Sequence, residues 1–128
     1  MNDEVKRVRV QPGDILLRTF AFAVRAVKLC RRLEHGQVSR VLVSQLLRSA
    51  TSVGANAEEA QAGQSRADFI SKNAICLKEA RESHYWLRLL QASGVTQDAE
   101  VHSLEQEALE LSRNFGAIVV SAKRNSTR

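Results

Sequence analysis

"SATSVGANAEEAQAGQSRADF", Ser49 to Phe69, decides how the rest of the chain is read. Its glycines and small side chains fit two structures: a loop folded round a ligand, or a helix pared down so that a neighbour can approach. The spacing favours the helix. Leu42, Leu46, Ala50, Val53, Ala57 and Ala60 keep intervals of three and four straight through the run, the period of one helical face. Ser49, Ala50, Ser52, Gly54, Ala55 and Ala57 then stand where larger groups would hold a neighbouring axis away, and axes can close to about 8 Å. A glycine inside a helix costs about 1 kcal/mol against alanine, so a tight contact is expected at Gly54. A phosphate cradle does not fit: neither the G-x-x-x-x-G-K-[ST] nor the G-x-G-x-x-G spacing is present, and no strand precedes the run. Asn56 either bonds across to another helix or faces solvent. Glu58 and Glu59 are either exposed or paired with a cation on a neighbouring helix.

Punctuation outward from this stretch gives four helices. Gly63 stops the helix that holds it, which starts near Ser39, and Ser65-Arg66-Ala67-Asp68 is a capping box for the next. Asp14, behind Pro12 and Gly13, is an expected cap for the first helix, and Gly36 and Gly94 mark two further breaks. Thr96-Gln97-Asp98 opens the last. The expected organisation is an N-terminal flexible arm over 1–13, one domain over 14–124 with helices at 14–35, 39–62, 65–93 and 97–123, and a frayed tail over 125–128. Helices of similar length, roughly 33–42 Å at 1.5 Å per residue, joined by short loops pack as antiparallel neighbours. The fold class is therefore all-α, an up-down-up-down four-helix bundle, and it is expected to be oligomeric.

The first and last helices carry contrasting patterns. Val101, Leu104, Ala108, Leu111, Phe115, Ile118 and Ala122 form a narrow seam of period 3.5. In the first helix, Ile15, Leu16, Thr19, Phe20, Phe22, Ala23, Ala26, Val27, Leu29, Cys30 and Leu33 cover half the circumference or more. So wide an apolar arc predicts a contact beyond the bundle itself, which points to a subunit interface.

Chemistry is sparsely represented. No histidine has a glutamate three residues before it, as a di-iron bundle needs, and Cys30 and Cys76 lack ligand spacing with any histidine. No nucleophile elbow or reactive-cysteine context appears, and Glu79 and Glu82 read as surface or salt-bridging carboxylates. Asp68 and Lys72, like Lys78 and Glu82, have the i,i+4 spacing of helical ion pairs. Neither catalysis, nor a cofactor, nor a metal, nor a small-molecule substrate is expected. Two cysteines at apolar helix positions suit a reducing compartment. "MNDEVKRVRVQPGD" lacks the apolar core of a secretory leader, and the expectation is a cytoplasmic protein with no membrane span.

The chain is basic, with 19 Lys+Arg against 14 Asp+Glu, a net charge of +5, which favours polyanionic partners. The cations fall into stripes. Arg18, Arg25 and Arg32 recur at one seven-residue interval with Lys28 beside them. Lys78, Arg81, Tyr85 and Arg88 follow by threes and fours, and Lys123 and Arg124 form a basic end. Cations flanking an aromatic ring suit phosphate contact with base stacking. A charged stripe can equally be a solvated helix face.

"QLLRSATSVGANAEEAQAGQSRADFISKNAICLKEARESHYWLRLL", Gln45 to Leu90, resembles the core of the bacterial four helix bundle protein family, also called the 23S rRNA intervening-sequence protein family. "DILLRTFAFAVRAVKLCRRLE", Asp14 to Glu34, is similar to its first helix. The resemblance implies a left-handed antiparallel bundle assembled as a homopentamer without enzymatic activity, and relatives that bind nucleic acid through a basic surface. It carries over a helix-packing motif of Ser52, Gly54, Asn56, Glu59 and Ala60, and a third-helix pattern of Phe69, Leu77, Glu79, Ala80 and Trp86. Ala57, where many members have a larger residue, and Asn73 depart from the family pattern. Two functions follow as expectations: a homo-oligomer binding RNA or a nucleoprotein partner through basic surfaces, or a protein–protein adaptor or structural module with no nucleic-acid role.

Overall fold

A computed structural model describes residues 12–33 and 35–126. Residues 1–11 of the expected arm and 127–128 of the expected tail lie outside them. Four helices fill the described chain: α1 Pro12–Leu33, α2 Gln37–Ala62, α3 Arg66–Ala92 and α4 Ala99–Ser126. Contacts run α1 to α2, α2 to α3 and α3 to α4, and α4 returns to α1 with the sparsest packing of the four pairs. Contacts in reversed order fix three of these pairs as antiparallel: Thr19 lies against Gly54 and Cys30 against Val43, Cys76 against Val53 and Ser83 against Ser49, and Arg18 and Arg25 meet Glu107 and Glu100.

The helix ends show local chemistry at work. Helix α1 begins at Pro12 and not behind Asp14, which sits in the first turn; a proline has no N–H to satisfy and a preset φ, so it suits the first helical position. Helix α2 begins at Gln37, two residues before the expected Ser39. Gly36, at φ +84°, turns the chain in a conformation that side chains rarely adopt, and no side chain caps the helix behind it. Ser65 behaves as the capping box requires: its hydroxyl accepts from the Asp68 N–H at 3.1 Å. Ser65→Ala is expected to cost about 1 kcal/mol, read as a fall of about 3–6 °C in the circular-dichroism melting midpoint. Asp98 closes the start of α4 by accepting from the Glu100 N–H at 2.9 Å, and Thr96 in turn accepts from the Asp98 N–H at 3.0 Å. Helix α4 continues through Asn125 and Ser126, where fraying was expected.

Side chains from all four helices fill the core: Phe22 and Leu29 from α1, Leu46 and Val53 from α2, Leu87 and Leu90 from α3, Leu104, Leu111 and Phe115 from α4. The seam of α4 is buried along its length, with Ile118 partly covered. The stretch from Ser49 to Ala62 is regular helix, and it packs tightly on both sides. Toward α3, the Ser83 hydroxyl donates to the Ser49 hydroxyl at 2.9 Å. Toward α1, a Cβ added to Gly54 would lie 3.4 Å from the Thr19 carbonyl carbon and oxygen. The Thr19 hydroxyl is satisfied within its own helix, donating to the Ile15 carbonyl at 2.8 Å, so no polar group is stranded where α1 and α2 meet.

Candidate nucleic-acid interface

Helices α1 and α4 are joined more by charge than by close packing. Arg18 reaches Glu107 at 2.7 Å and Glu110 at 3.4 Å, Arg25 reaches Glu100 at 2.5 Å, and Arg32 reaches Asp98 at 3.0 Å. The seven-residue interval on α1 is matched in reverse by acids on α4, so one stripe ties the two helices together. The Glu107 hydrogen bond raises Arg18 above its ordinary value, and the Asp98 bond does the same for Arg32. Asp98 is lowered, chiefly by Arg32 and then by the Glu100 N–H. Each of these three arginines is therefore paired with a carboxylate of α4 or of the turn before it. Lys28 between them is exposed and has no ion-pair partner among the described residues.

The α3 stripe has a different environment. Lys78, Arg81 and Arg88 are exposed, and none of them is in an ion pair among the described residues. Tyr85 lies in their midst with 51% of its surface open, and its ring meets that of Trp86 in an edge-to-face arrangement, at a centroid distance of 5.1 Å and an interplanar angle of 74°. The Trp86 indole donates to Glu82 at 3.1 Å, which fixes the pair. A shallow groove beside Tyr85 is lined by Arg88, Leu89, Gln91, Ala92 and Glu105. At the end of α4, Lys123 and Arg124 are exposed. The larger groove, between Arg66, Phe69, Ile118 and Ser121, lies at the opposite end of α3 and does not join the stripe.

The acids on α3 pair differently from their spacing. Arg48 of α2 meets both Glu79, at 2.9 Å, and Glu82. Glu79 is buried by this contact, where a surface carboxylate was an open reading, and Glu82 goes to Arg48 and not to Lys78. Lys72 pairs with Glu59 of α2 at 2.8 Å, which raises the ammonium above its ordinary value. The motif residues fall in distinct places. Gly54 and Ala60 are buried, Glu59 forms that cross-helix pair, and Asn56 donates to the Ser52 carbonyl at 2.9 Å within its own helix. Asn56 thus fixes no inter-helix register. Asn73 is buried and donates to the Phe69 carbonyl at 2.8 Å.

Two features escaped the sequence reading. One is the Arg48 clasp, whose partners lie a whole helix away and share no spacing signal. The other is an exposed apolar stripe on α1: Leu17 at 63% exposure, Phe20 at 68%, Val24 at 36% and Val27 at 37%. The wide arc predicts surplus apolar surface through Phe20 and Val27; Leu17 and Val24, outside that arc, complete a three-four-three spacing. Val38 and Val41 at the start of α2 are exposed as well.

Both cysteines are buried, and burial pushes the Cys76 thiol up to about 12, which keeps it protonated and unreactive. Among the described residues no three His, Cys, Asp or Glu side chains are grouped to hold a metal, and no helix is long and apolar enough to cross a membrane.

An all-α four-helix bundle is the class that this fold defines. The family described as 23S rRNA-intervening sequence protein matches residues 13–117, and the chain belongs to it. Among solved structures, it is similar to a protein of unknown function from the S23 ribosomal protein family of Bacteroides thetaiotaomicron. The two share 40% identity over 82% of this chain and 97% of that one, with a TM-score of 0.76. No curated protein matches.

Proposed function

We propose that the chain acts as a cytoplasmic homo-oligomer that binds RNA, or a nucleoprotein containing it, through the α3 stripe. The observation that carries this reading is the contrast between the two cationic stripes. The α1 arginines are met by carboxylates, whereas Lys78, Arg81 and Arg88 surround an open tyrosine ring with no ion-pair partner among the described residues. Lys28, Lys123 and Arg124 add to the field, and Arg18, Arg25 and Arg32 contribute what their partners leave. The family description, in which the intervening sequence is one of ribosomal RNA, supports the same class of partner.

Self-association rests on the α1 stripe. Its residues alternate with Arg18 and Arg25, whose charges are already paired inside the chain. A second copy can therefore cover the stripe without breaking those pairs, with exposed Lys28 and Arg31 at its C-terminal end left at the solvated rim, since burying an unpaired ion is the costly part of a charged interface. The family resemblance implies that five copies assemble, and repetition of the α3 stripe round such a ring would multiply weak contacts.

Salt titration tests the RNA reading. Three phosphate contacts per engaged subunit predict that the logarithm of the binding constant falls against the logarithm of salt with a slope of about −2 per subunit on single strands. Gel shifts or fluorescence anisotropy would measure it. No binding at low salt, or binding indifferent to salt, overturns the reading and favours an adaptor that docks a protein.

A further inference from the structure

We infer that the groove beside Tyr85 receives an unpaired RNA base, one that carries an exocyclic amino group. The inference rests on the RNA-binding reading above and deepens it, from a polyanion of any form to a strand with bases free to leave the stack.

Charge alone does not explain the groove. A surface built for duplex phosphates would be cationic throughout, but this one places the Glu105 carboxylate among its lining residues. An anion there repels phosphate and can accept from a base amine, as carboxylates do from the amino group of cytosine. Its capacity is not used up among the described residues: the imidazole nitrogens beside it, His84 Nε2 at 3.8 Å and His102 Nδ1 at 4.0 Å, stand beyond hydrogen-bond reach. The Gln91 side chain, on the same rim, is exposed and can donate and accept. Tyr85 supplies the platform. Trp86 braces it at a steep interplanar angle, and 51% of the tyrosine stays exposed for a base to stack against. Arg88 on the rim, two turns from Arg81, carries the flanking phosphates. Stacking platform, acceptor and cation thus converge on one concavity, with Leu89 and Ala92 as its apolar lining. An A-form duplex offers no free base face to this tyrosine.

Three probes test it: a short oligocytidine, an oligouridine of the same length and a blunt RNA duplex, each titrated at fixed salt. Oligocytidine is expected to bind more tightly than the other two. Tyr85→Ala is expected to weaken it about tenfold or more, and Tyr85→Phe, which keeps the ring, is expected to retain it. Glu105→Gln, which keeps the shape and removes the charge, is expected to shrink the preference for cytidine over uridine. Should Tyr85→Ala lose helicity, Tyr85→Phe and Glu105→Gln still read the stacking and the amine contact. Equal binding of duplex and oligocytidine, with Tyr85→Ala unchanged, overturns the inference while leaving salt-dependent RNA binding in place. No binding of any probe at low salt overturns the reading of function, and this inference with it.

Discussion

Leu17→Glu combined with Phe20→Glu is expected to leave the protein helical but to reduce its mass in solution to that of one chain, 14.2 kDa. Both side chains are about two-thirds exposed and outside the core, so the bundle loses little internal packing when they change. Their apolar surface is what a second copy would cover, at about 1–2 kcal/mol for each side chain removed from water. A carboxylate in their place must be desolvated on association, at a cost of several kcal/mol per ion. Each 1.4 kcal/mol is a factor of about ten in the association constant, so the pair of substitutions moves dissociation well past working concentrations. Light scattering coupled to size exclusion would read the mass, and far-ultraviolet circular dichroism the helix content. A wild-type protein that already runs as one chain, or a double variant that keeps the wild-type mass, would remove the basis for an interface on α1.

The four helices and their core faces were legible because each signal is local. The α4 seam repeats every three or four residues, and the Ser65 cap reads from four consecutive letters. The run through Gly54 holds the spacing of its helix even where its side chains shrink. The exact starts of α1 and α2 were less legible, because Pro12 and Gly36 set them through backbone conformation and not through the more familiar Asp14 and Ser39 side chains. The candidate site was legible as composition but not as pairing. Nothing in the sequence places Arg25 opposite Glu100, or Arg48 between Glu79 and Glu82, since those partners meet only after the helices pack. One arginine interval therefore looked the same as a binding stripe until α4 supplied its acids. The α3 stripe, by contrast, remained exposed around Tyr85 after folding.

Gly54→Leu is expected to be strongly destabilising, and its size separates two explanations for the small-residue run. Leucine is a far better helix former than glycine, so propensity alone predicts a gain of nearly 1 kcal/mol. Packing predicts the reverse. A Cβ at this position already touches the Thr19 carbonyl carbon and oxygen at 3.4 Å, and the atoms beyond it have nowhere to go unless α1 moves. Overpacking against backbone belongs at the upper end of such costs, about 3 kcal/mol, a fall of order 10 °C in melting midpoint at one protein concentration. Gly54→Ala should stay within about 1 kcal/mol of the native protein, because its single added carbon meets ordinary contact distances and helix propensity offsets the remainder. The partner atoms make a second test possible. Thr19→Ala removes the hydroxyl, which stands 3.5 Å from the added Cβ, but leaves the closer carbonyl in place. It should not rescue Gly54→Leu. Rescue would mean that the threonine side chain sets the limit, and unchanged stability in Gly54→Leu would mean that the two axes are not held close at all.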